Sequence, residues 1–150
     1  MSDELTASAP RLEHLVVELG KLGTEARARL LHAAGVEADA FETVVVSEKL
    51  SGGVLKQRTG ALAGSVFKEV TETGDGTQVT IGANTPYARI HEYGGVIEPV
   101  NALALRFKID GQWVFAKRVE MRERSYLRST LAERADIIRA ELARAVAGAA

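Results

Sequence analysis

Histidine is the residue type in this sequence that could do metal or acid–base chemistry, and it occurs three times. His91 is followed by Glu92, as in the H-E-x-x-H pattern that binds zinc through two histidines on one helix face. The second histidine of that pattern would stand at position 95, where this chain has Gly95. His14 and His32 are isolated, so the sequence predicts no metal site.

Other catalytic patterns are also incomplete. The chain has no cysteine, which removes thiolate nucleophiles, thiolate metal ligands and disulfides. Gly60 and Gly64 do not lead into the Gly-Lys-Ser/Thr of a phosphate-binding loop, and Ser65 lacks the second glycine of a nucleophile elbow. We therefore predict no catalytic, cofactor-binding or metal-binding residue. A small hydrolase with His91 and Glu92 as acid and base is only a third functional hypothesis.

The composition excludes several classes of protein. The chain has 150 residues, of which 46% are apolar and 26% charged, as expected for one globular domain. A net charge of −1 argues against a strongly basic, sequence-blind nucleic-acid binder. No apolar run reaches the ~20 residues of a membrane helix, and Asp3 and Glu4 stand where a signal peptide has basic residues. We expect a protein used on the cytoplasmic side or inside an assembly, with no membrane partner.

Charge is distributed unevenly along the chain. Residues 1–105 carry 9 basic and 14 acidic side chains, whereas residues 106–150 carry 10 basic and 6 acidic ones. The two parts have net charges of −5 and +4. Two interpretations stay open: a chance difference between solvated helix faces, and head-to-tail association in which an acidic surface of one copy meets a basic surface of the next.

Apolar periodicity predicts two helices in the N-terminal part. The first would run from Pro10 to Ala34 and end at Gly35. The second would begin at Asp39, whose carboxylate could act as a cap with Glu42 three residues later. A long connection over residues 54–62 would follow.

The middle of the chain changes to the two-residue period of strands. Two strands are predicted at residues 65–70 and 78–81, followed by a short helix from Thr85 to Tyr93 that Thr85 would cap. Asp110-Gly111 is a type I′ turn signal between strands at residues 103–109 and 112–117. The last helix is expected from Tyr126 to Val146.

These elements predict an α+β fold in one domain, residues 1–150. An antiparallel sheet of about four to five strands, including a hairpin, would be packed by N- and C-terminal helices. The helical N-terminal part would cover about residues 10–50, the sheet and short helix about 54–118, and the C-terminal helix about 126–147.

The second predicted hairpin has large apolar side chains on both faces. With a two-residue turn, Trp113 and Phe115 share one face with Arg106 and Lys108. We expect both faces to be covered, with another subunit as one candidate for the cover. The same mixture of aromatic and basic residues is typical of single-strand binders. A nucleic-acid-binding module that uses the basic hairpin around residues 106–128 is therefore the alternative function.

Three short motifs occur in a characteristic order. Arg58-Thr59-Gly60 leads into the first predicted strand, and Tyr87-Ala88-Arg89-Ile90-His91-Glu92-Tyr93-Gly94-Gly95 follows the second. Arg122-Glu123-Arg124-Ser125-Tyr126-Leu127 opens the last helix. This order resembles the virion morphogenesis family of tailed phages, the tail-completion and head–tail joining proteins. The resemblance covers about residues 54–130, and the third motif departs from the family in having no proline.

The resemblance implies a structural virion protein of a tailed phage or prophage, not an enzyme. Such proteins form a homo-oligomeric ring in the neck, here expected as a hexamer, that completes the tail and joins it to the head connector. Its implied partners are head-closure, tail-terminator or tube proteins, with DNA at most passing through the lumen. It would be assembled in the bacterial cytoplasm and end in the virion. The candidate assembly and fold determinants are Arg58, Thr59, Gly60, Tyr87, His91, Glu92, Gly94, Gly95, Trp113, Phe115, Arg122 and Arg124.

Overall fold

The computed structural model describes residues 23–55, 59–74 and 76–148, together with the backbone of a strand over residues 12–18. The candidate residue Arg58 lies outside the described residues. Helices alternate with antiparallel strands, which confirms the predicted α+β class. The elements are β1 (Leu12–Glu18), α1 (Thr24–Val44), a π-helical segment (Val45–Gly53), α2 (Ala61–Gly64), β2 (Val66–Thr73), β3 (Gly76–Ala83), α3 (Ala88–Tyr93), β4 (Gly95–Ile97), β5 (Leu105–Ile109), β6 (Gln112–Ala116), β7 (Val119–Met121) and α4 (Leu127–Ala147).

The N-terminal part contains one strand and one long helix in place of the two predicted helices. Residues 12–18 form β1, because a short amphipathic stretch fits either period and pairing with β3 decides its conformation. α1 runs through Gly35, where the first helix was expected to end. Packing of its apolar face outweighs the ~1 kcal/mol that a glycine costs inside a helix. The buried residues of α1 are Leu30, Ala34, Ala38 and Phe41.

Asp39 and Glu42 lie inside α1, so the prediction that they begin a second helix is wrong. No cap is needed there, because the backbone N–H groups inside a helix already bond to carbonyls one turn earlier. Both carboxylates instead contact the ammonium of Lys68 on β2, each at 2.5 Å. Their hydrogen bonds raise the pKa of Lys68, and the pairs tie α1 to the sheet.

The strands form three separate sheets of three, two and two strands, so the predicted single sheet of four to five strands is wrong. β2 and β3 form the first predicted hairpin, and β1 lies on the other side of β3. β5 and β6 form the second hairpin. Its turn residues Asp110 and Gly111 both have positive φ, as the predicted type I′ turn requires.

The split into three sheets follows from the position of two short strands. β4 precedes the second hairpin in the chain and β7 follows it, and the two strands pair with each other at the base of the hairpin. β7 was not predicted. Gly94 and Gly95 have φ of 67° and 140°, and they turn the chain sharply from α3 into β4. The β5–β6 hairpin is therefore attached through the β4–β7 pair and does not extend the three-stranded sheet.

The core lies between α1, α4 and one face of the three-stranded sheet. α4 confirms the predicted last helix. Two ion pairs connect α4 to the N-terminal helical part: Glu133 of α4 with Lys49 at 2.6 Å, and Arg134 of α4 with Glu37 at 3.2 Å. The core cluster includes Leu30, Phe41, Val45, Leu50, Tyr126, Leu127, Ile138 and Leu142.

The connection before β2 is shorter than the predicted stretch of residues 54–62. Helical structure continues to Gly53, and Leu55 belongs to the buried core. Gly60 has φ of 74° immediately before α2, in the left-handed region that favours glycine. The predicted long connection is thus reduced to a few residues, of which 56–58 are outside the described chain.

Candidate assembly site

The short helix α3 is positioned by its neighbours and not by the predicted Thr85 cap. The Thr85 hydroxyl is buried and has no hydrogen-bond partner among the residues that the structure describes, whereas the Thr85 backbone carbonyl accepts the N–H of Ala88 at 3.0 Å. The helix therefore begins through a backbone turn around Pro86. The capping prediction is wrong: the residue before the first helical residue is Tyr87, and no side chain caps α3, because the Thr85 carbonyl takes the first amide of the helix.

Glu92 connects α3 to the start of α4. Its carboxylate is 0% exposed and accepts the backbone N–H groups of Tyr126, Leu127 and Arg128 at 2.8, 3.0 and 3.0 Å. The hydroxyl of Ser125 donates to Glu92 at 2.7 Å and accepts the N–H of Ser129 at 3.1 Å. Four consecutive N–H groups at the start of α4, which have no partner within a helix, are thereby satisfied.

The environment of Glu92 favours the ionised carboxylate. Burial acts to raise its pKa, but the hydrogen bonds from Leu127, Arg128, Ser125 and Tyr126 outweigh burial, so the pKa is lowered. The carboxylate also lies at the positive end of the α4 dipole, where an anion is stabilised. Since α4 has no acidic residue in its own first turn, this charge comes from α3.

Arg128 closes the same junction from the outer side. Its Nε donates to the Glu92 carboxylate at 3.2 Å, and its terminal nitrogen donates to Glu123 at 2.5 Å. The guanidinium lies over the ring of Tyr93, 4.4 Å from the centroid. A second cation, Arg89, lies 5.7 Å from the same ring. We name this cluster, formed by residues 87–95 and 121–128, the α3–α4 junction.

Gly94 is held against the backbone of the segment that precedes α4. A Cβ at this position would lie 2.6 Å from the backbone nitrogen of Glu123 and 2.8 Å from the carbonyl oxygen of Met121. Its φ of 67° disfavours other residues independently. Gly95 has φ of 140°, and a Cβ there would meet Ile90 at 3.0 Å. Gly94 is therefore required by close approach as well as by conformation, whereas Gly95 is required mainly by its conformation.

His91 lies on the side of α3 next to Arg124. The backbone N–H of Arg124 donates to the His91 carbonyl at 2.8 Å, and the rings of Tyr87 and His91 meet edge to face at 5.9 Å. The Nδ1 atom of His91 is buried without a hydrogen-bond partner among the described residues. Burial, and then the charge of Arg124, lower the pKa of His91. The neutral imidazole is therefore the favoured form.

The β5–β6 hairpin presents a different kind of surface. Trp113 is 54% exposed and Phe115 is 66% exposed. The guanidinium of Arg106 and the ammonium of Lys108 lie 4.5 and 4.7 Å from the Trp113 ring centroid. This arrangement confirms that the four side chains share one face, which we name the aromatic face. In the single chain this face is uncovered, so the expected cover on this side would have to come from outside the chain.

The predicted site residues thus fall into three groups. Thr59 and Gly60 lie before α2, where their hydrogen bonds stay within that helix. Arg122 and Arg124 belong to the α3–α4 junction, where their side chains are exposed. The junction brings together Tyr87, His91, Glu92, Gly94, Gly95, Arg122 and Arg124, whereas Trp113 and Phe115 lie on the hairpin.

Sequence reasoning missed Ser125 and Arg128 as functional partners of Glu92. The sequence did contain a signal for the Arg128–Glu92 pair, because an arginine in the first turn of a helix is unfavourable beside the positive end of the helix dipole. Arg128 therefore indicates a nearby anion, and the first turn of α4 does not contain one. Only its sequence separation from Glu92 concealed the pair.

The described part of the chain offers few further candidate binding sites. Within those residues no cluster of His, Asp and Glu could hold a metal ion. A cavity of about 50 Å³ lies between α1, β3 and α4, and it is lined mainly by core side chains. No helix in the described segments has the length and apolar character to cross a bilayer. Comparison of the chain with known families, curated proteins and solved structures found no match.

Proposed function

We propose that this protein is a structural subunit of a tailed-phage or prophage virion. Copies of the chain form a ring in the neck, most simply a hexamer, that completes the tail and joins it to the head connector. The neighbours of the ring are head-closure, tail-terminator or tube proteins. Assembly takes place in the bacterial cytoplasm, and no residue has a catalytic role.

The observation that carries the proposal is the exposed aromatic face on a hairpin that stands apart from the main sheet. Trp113 and Phe115 expose more than half of their surface. The loop before β5 adds Val100 and Leu103, which are 92% and 95% exposed. Large apolar side chains with this much exposed surface are candidates for an interaction site, since their burial against a partner is favourable.

The α3–α4 junction supports the same proposal in a different way. Two of its charged side chains are bound within the chain. Glu92 accepts hydrogen bonds from the start of α4, and Arg128 contacts Glu92, Glu123 and the ring of Tyr93. The junction makes the base of the projecting hairpin rigid, because β4 begins at Gly95 and β7 ends at Met121. A hairpin held in a defined direction loses less freedom when it docks onto a neighbour.

The test is the symmetry of the assembled protein. Native mass spectrometry of the purified chain measures copy number, and cryo-electron microscopy of tail particles shows where the protein lies. We expect a cyclic oligomer at the head-proximal end of the tail, even where the isolated chain is monomeric. A dihedral oligomer in the particle, or particles whose neck lacks the protein, would contradict the proposal.

The second candidate function is binding of single-stranded nucleic acid. The specific observation in its favour is that Trp113 is exposed between two cations, Arg106 and Lys108. Bases can stack on such a ring while the cations contact phosphates. Overall charge does not favour it, because the whole chain has a net charge of −1.

Salt dependence separates the two functions. A protein that makes several phosphate contacts loses roughly 10³-fold or more in affinity between 50 and 200 mM salt. Association through an apolar centre changes far less, since burial of Trp113 and Phe115 is not screened. We expect no tight binding of short single-stranded DNA at physiological salt. Submicromolar binding that disappears when Arg106 and Lys108 are replaced, while particles still assemble, would favour nucleic acid.

A further inference from the structure

We propose that β5 of one copy pairs with the open edge of β2 in the next copy, so that the hairpin extends the neighbour's three-stranded sheet. The inference rests on the proposed function and names the contact that would build the ring. The resulting sheet would have five strands, three from one copy and two from its neighbour. Because the two surfaces differ, the contact is head-to-tail and can close into a ring.

Both strand edges are open in the described part of the chain. β2 pairs with β3 on one side only, and β5 pairs with β6 on one side only. β2 has eight residues and β5 has five, so each presents a row of unpaired backbone N–H and C=O groups. Such edges favour addition of a further strand, in which main-chain hydrogen bonds supply affinity.

The side-chain alternation of the two strands is compatible. Val66 and Val70 of β2 pack against the core, whereas Glu69 and Thr71 on the opposite face are exposed. On β5, Leu105 and Phe107 are half-buried, and Arg106 and Lys108 are exposed on the opposite face. Pairing that places Phe107 beside the apolar face of β2 therefore brings the two cations beside Glu69.

The charges on these faces have no partners within the described chain. The side chain of Glu69 takes part in no hydrogen bond or ion pair there, and neither do the side chains of Arg106 and Lys108 apart from their contacts with Trp113. The nearby cation on β2, Lys68, is on the other face and is held by Asp39 and Glu42. Cross-strand pairs of opposite charge stabilise a sheet, and like charges oppose pairing.

β5, not β6, is the strand that the charges favour. β6 has the sequence Gln-Trp-Val-Phe-Ala and carries no charged residue that could face Glu69. If β5 is the strand that pairs with β2 of the neighbour, Trp113 and Phe115 on β6 lie one strand further from β2. They remain on the same face of the sheet as Arg106 and Lys108. They would cover Arg106 and Lys108 from the side and reduce the access of water to the new ion pairs.

Charge reversal in the full chain tests the pairing. Glu69→Lys, and separately Arg106→Glu with Lys108→Glu, should each weaken ring formation at least ~10-fold, because each places like charges side by side. The combined triple variant should recover most of the loss, since opposite charges again face each other. Ring formation is followed by native mass spectrometry and by incorporation into tail particles.

Matched variants control for charge alone. Glu48→Lys changes another exposed carboxylate without an ion pair, and Arg139→Glu with Arg144→Glu reverses two exposed cations on α4. Both should assemble as the parent chain does. Hydrogen exchange gives a second readout that needs no variant: amides of β2 and β5 should become protected in the ring compared with the monomer.

The outcomes distinguish this inference from the proposed function. If the parent chain forms a neck ring, but the reversal variants assemble like their controls and β2 gains no protection, the β5–β2 pairing is wrong and the ring stands. If no cyclic oligomer forms in solution or in particles, both fail. Loss of single-stranded DNA binding in the Arg106 and Lys108 variant, with unchanged assembly, assigns the hairpin to nucleic acid and also overturns the pairing.

Discussion

The α3–α4 junction and the β5–β6 hairpin use charged and aromatic residues in opposite ways. In the junction, the Glu92 carboxylate is fully buried and saturated with hydrogen bonds from its own chain. On the hairpin, Arg106 and Lys108 lie over an exposed tryptophan and have no anionic partner among the described residues. The comparison teaches that similar residue types can be paired inside the fold in one region and left exposed on the surface in another.

The largest expected effect is the loss of folding stability when Glu92 of the α3–α4 junction is replaced. Glu92→Ala leaves the N–H groups of Tyr126, Leu127 and Arg128 buried without their acceptor, and removes the partner of the Arg128 guanidinium. Breaking a buried charged network of this kind costs about 3–5 kcal/mol. Chemical denaturation should show a loss of that size in the free energy of unfolding. A loss of about 0.5 kcal/mol or less, which is usual for ordinary surface positions, would contradict a role of the junction in folding.

Gly94→Ala should have the second-largest effect. The new Cβ would meet backbone atoms at 2.6 and 2.8 Å, and the residue would keep a φ of 67°. We expect a loss of about 2–4 kcal/mol in stability, because backbone must move to make room. Gly111→Ala at the hairpin tip is the matched control, since it also has positive φ but nothing lies within 4 Å of its Cβ. Thermal unfolding should show a much smaller shift for the control.

Acid should destabilise the junction in two separate windows. The pKa of His91 is lowered, so stability falls as the pH drops from about 6.5, the ordinary value, through the folded pKa. The pKa of Glu92 is also lowered, so its contribution is present above about 4.5 and is lost as the pH falls through its folded pKa.

Denaturation measured from pH 7.5 to pH 3 can resolve the two windows. His91→Gln should remove the upper window and Glu92→Gln the lower one. An upper window that persists in His91→Gln would show that another group titrates there.

Replacing Trp113 should have the smallest effect on stability and a large effect on association. Its ring is 54% exposed, and contacts with Arg106 and Lys108 are worth about 0.5–1 kcal/mol each at exposed sites. We expect Trp113→Ala or Phe115→Ala to unfold nearly as the parent chain does. Both should impair assembly more than Arg106→Ala or Lys108→Ala, as native mass spectrometry would measure. Equal assembly by all four variants would contradict a docking role for the aromatic face.

The sequence by itself determined the elements that depend on neighbours in the chain. Turn residues and short periodic patterns specify the two hairpins, α4, and the face that Trp113 and Phe115 share with Arg106 and Lys108. Gly94 and Gly95 marked a sharp reversal for the same reason, since glycine accepts the positive φ that the turn needs. These features are local, so a single chain pattern specifies them.

Only the tertiary structure decided the features that depend on distant partners. Pairing with β3 made residues 12–18 a strand, and core packing carried α1 through Gly35. The division into three sheets and the capping of α4 by Glu92, more than thirty residues earlier in the chain, have no local signature. The physical reason is the same for these features. A buried amide needs a hydrogen-bond acceptor and an apolar face needs a packing partner, and the folded chain can supply either from a segment distant in sequence.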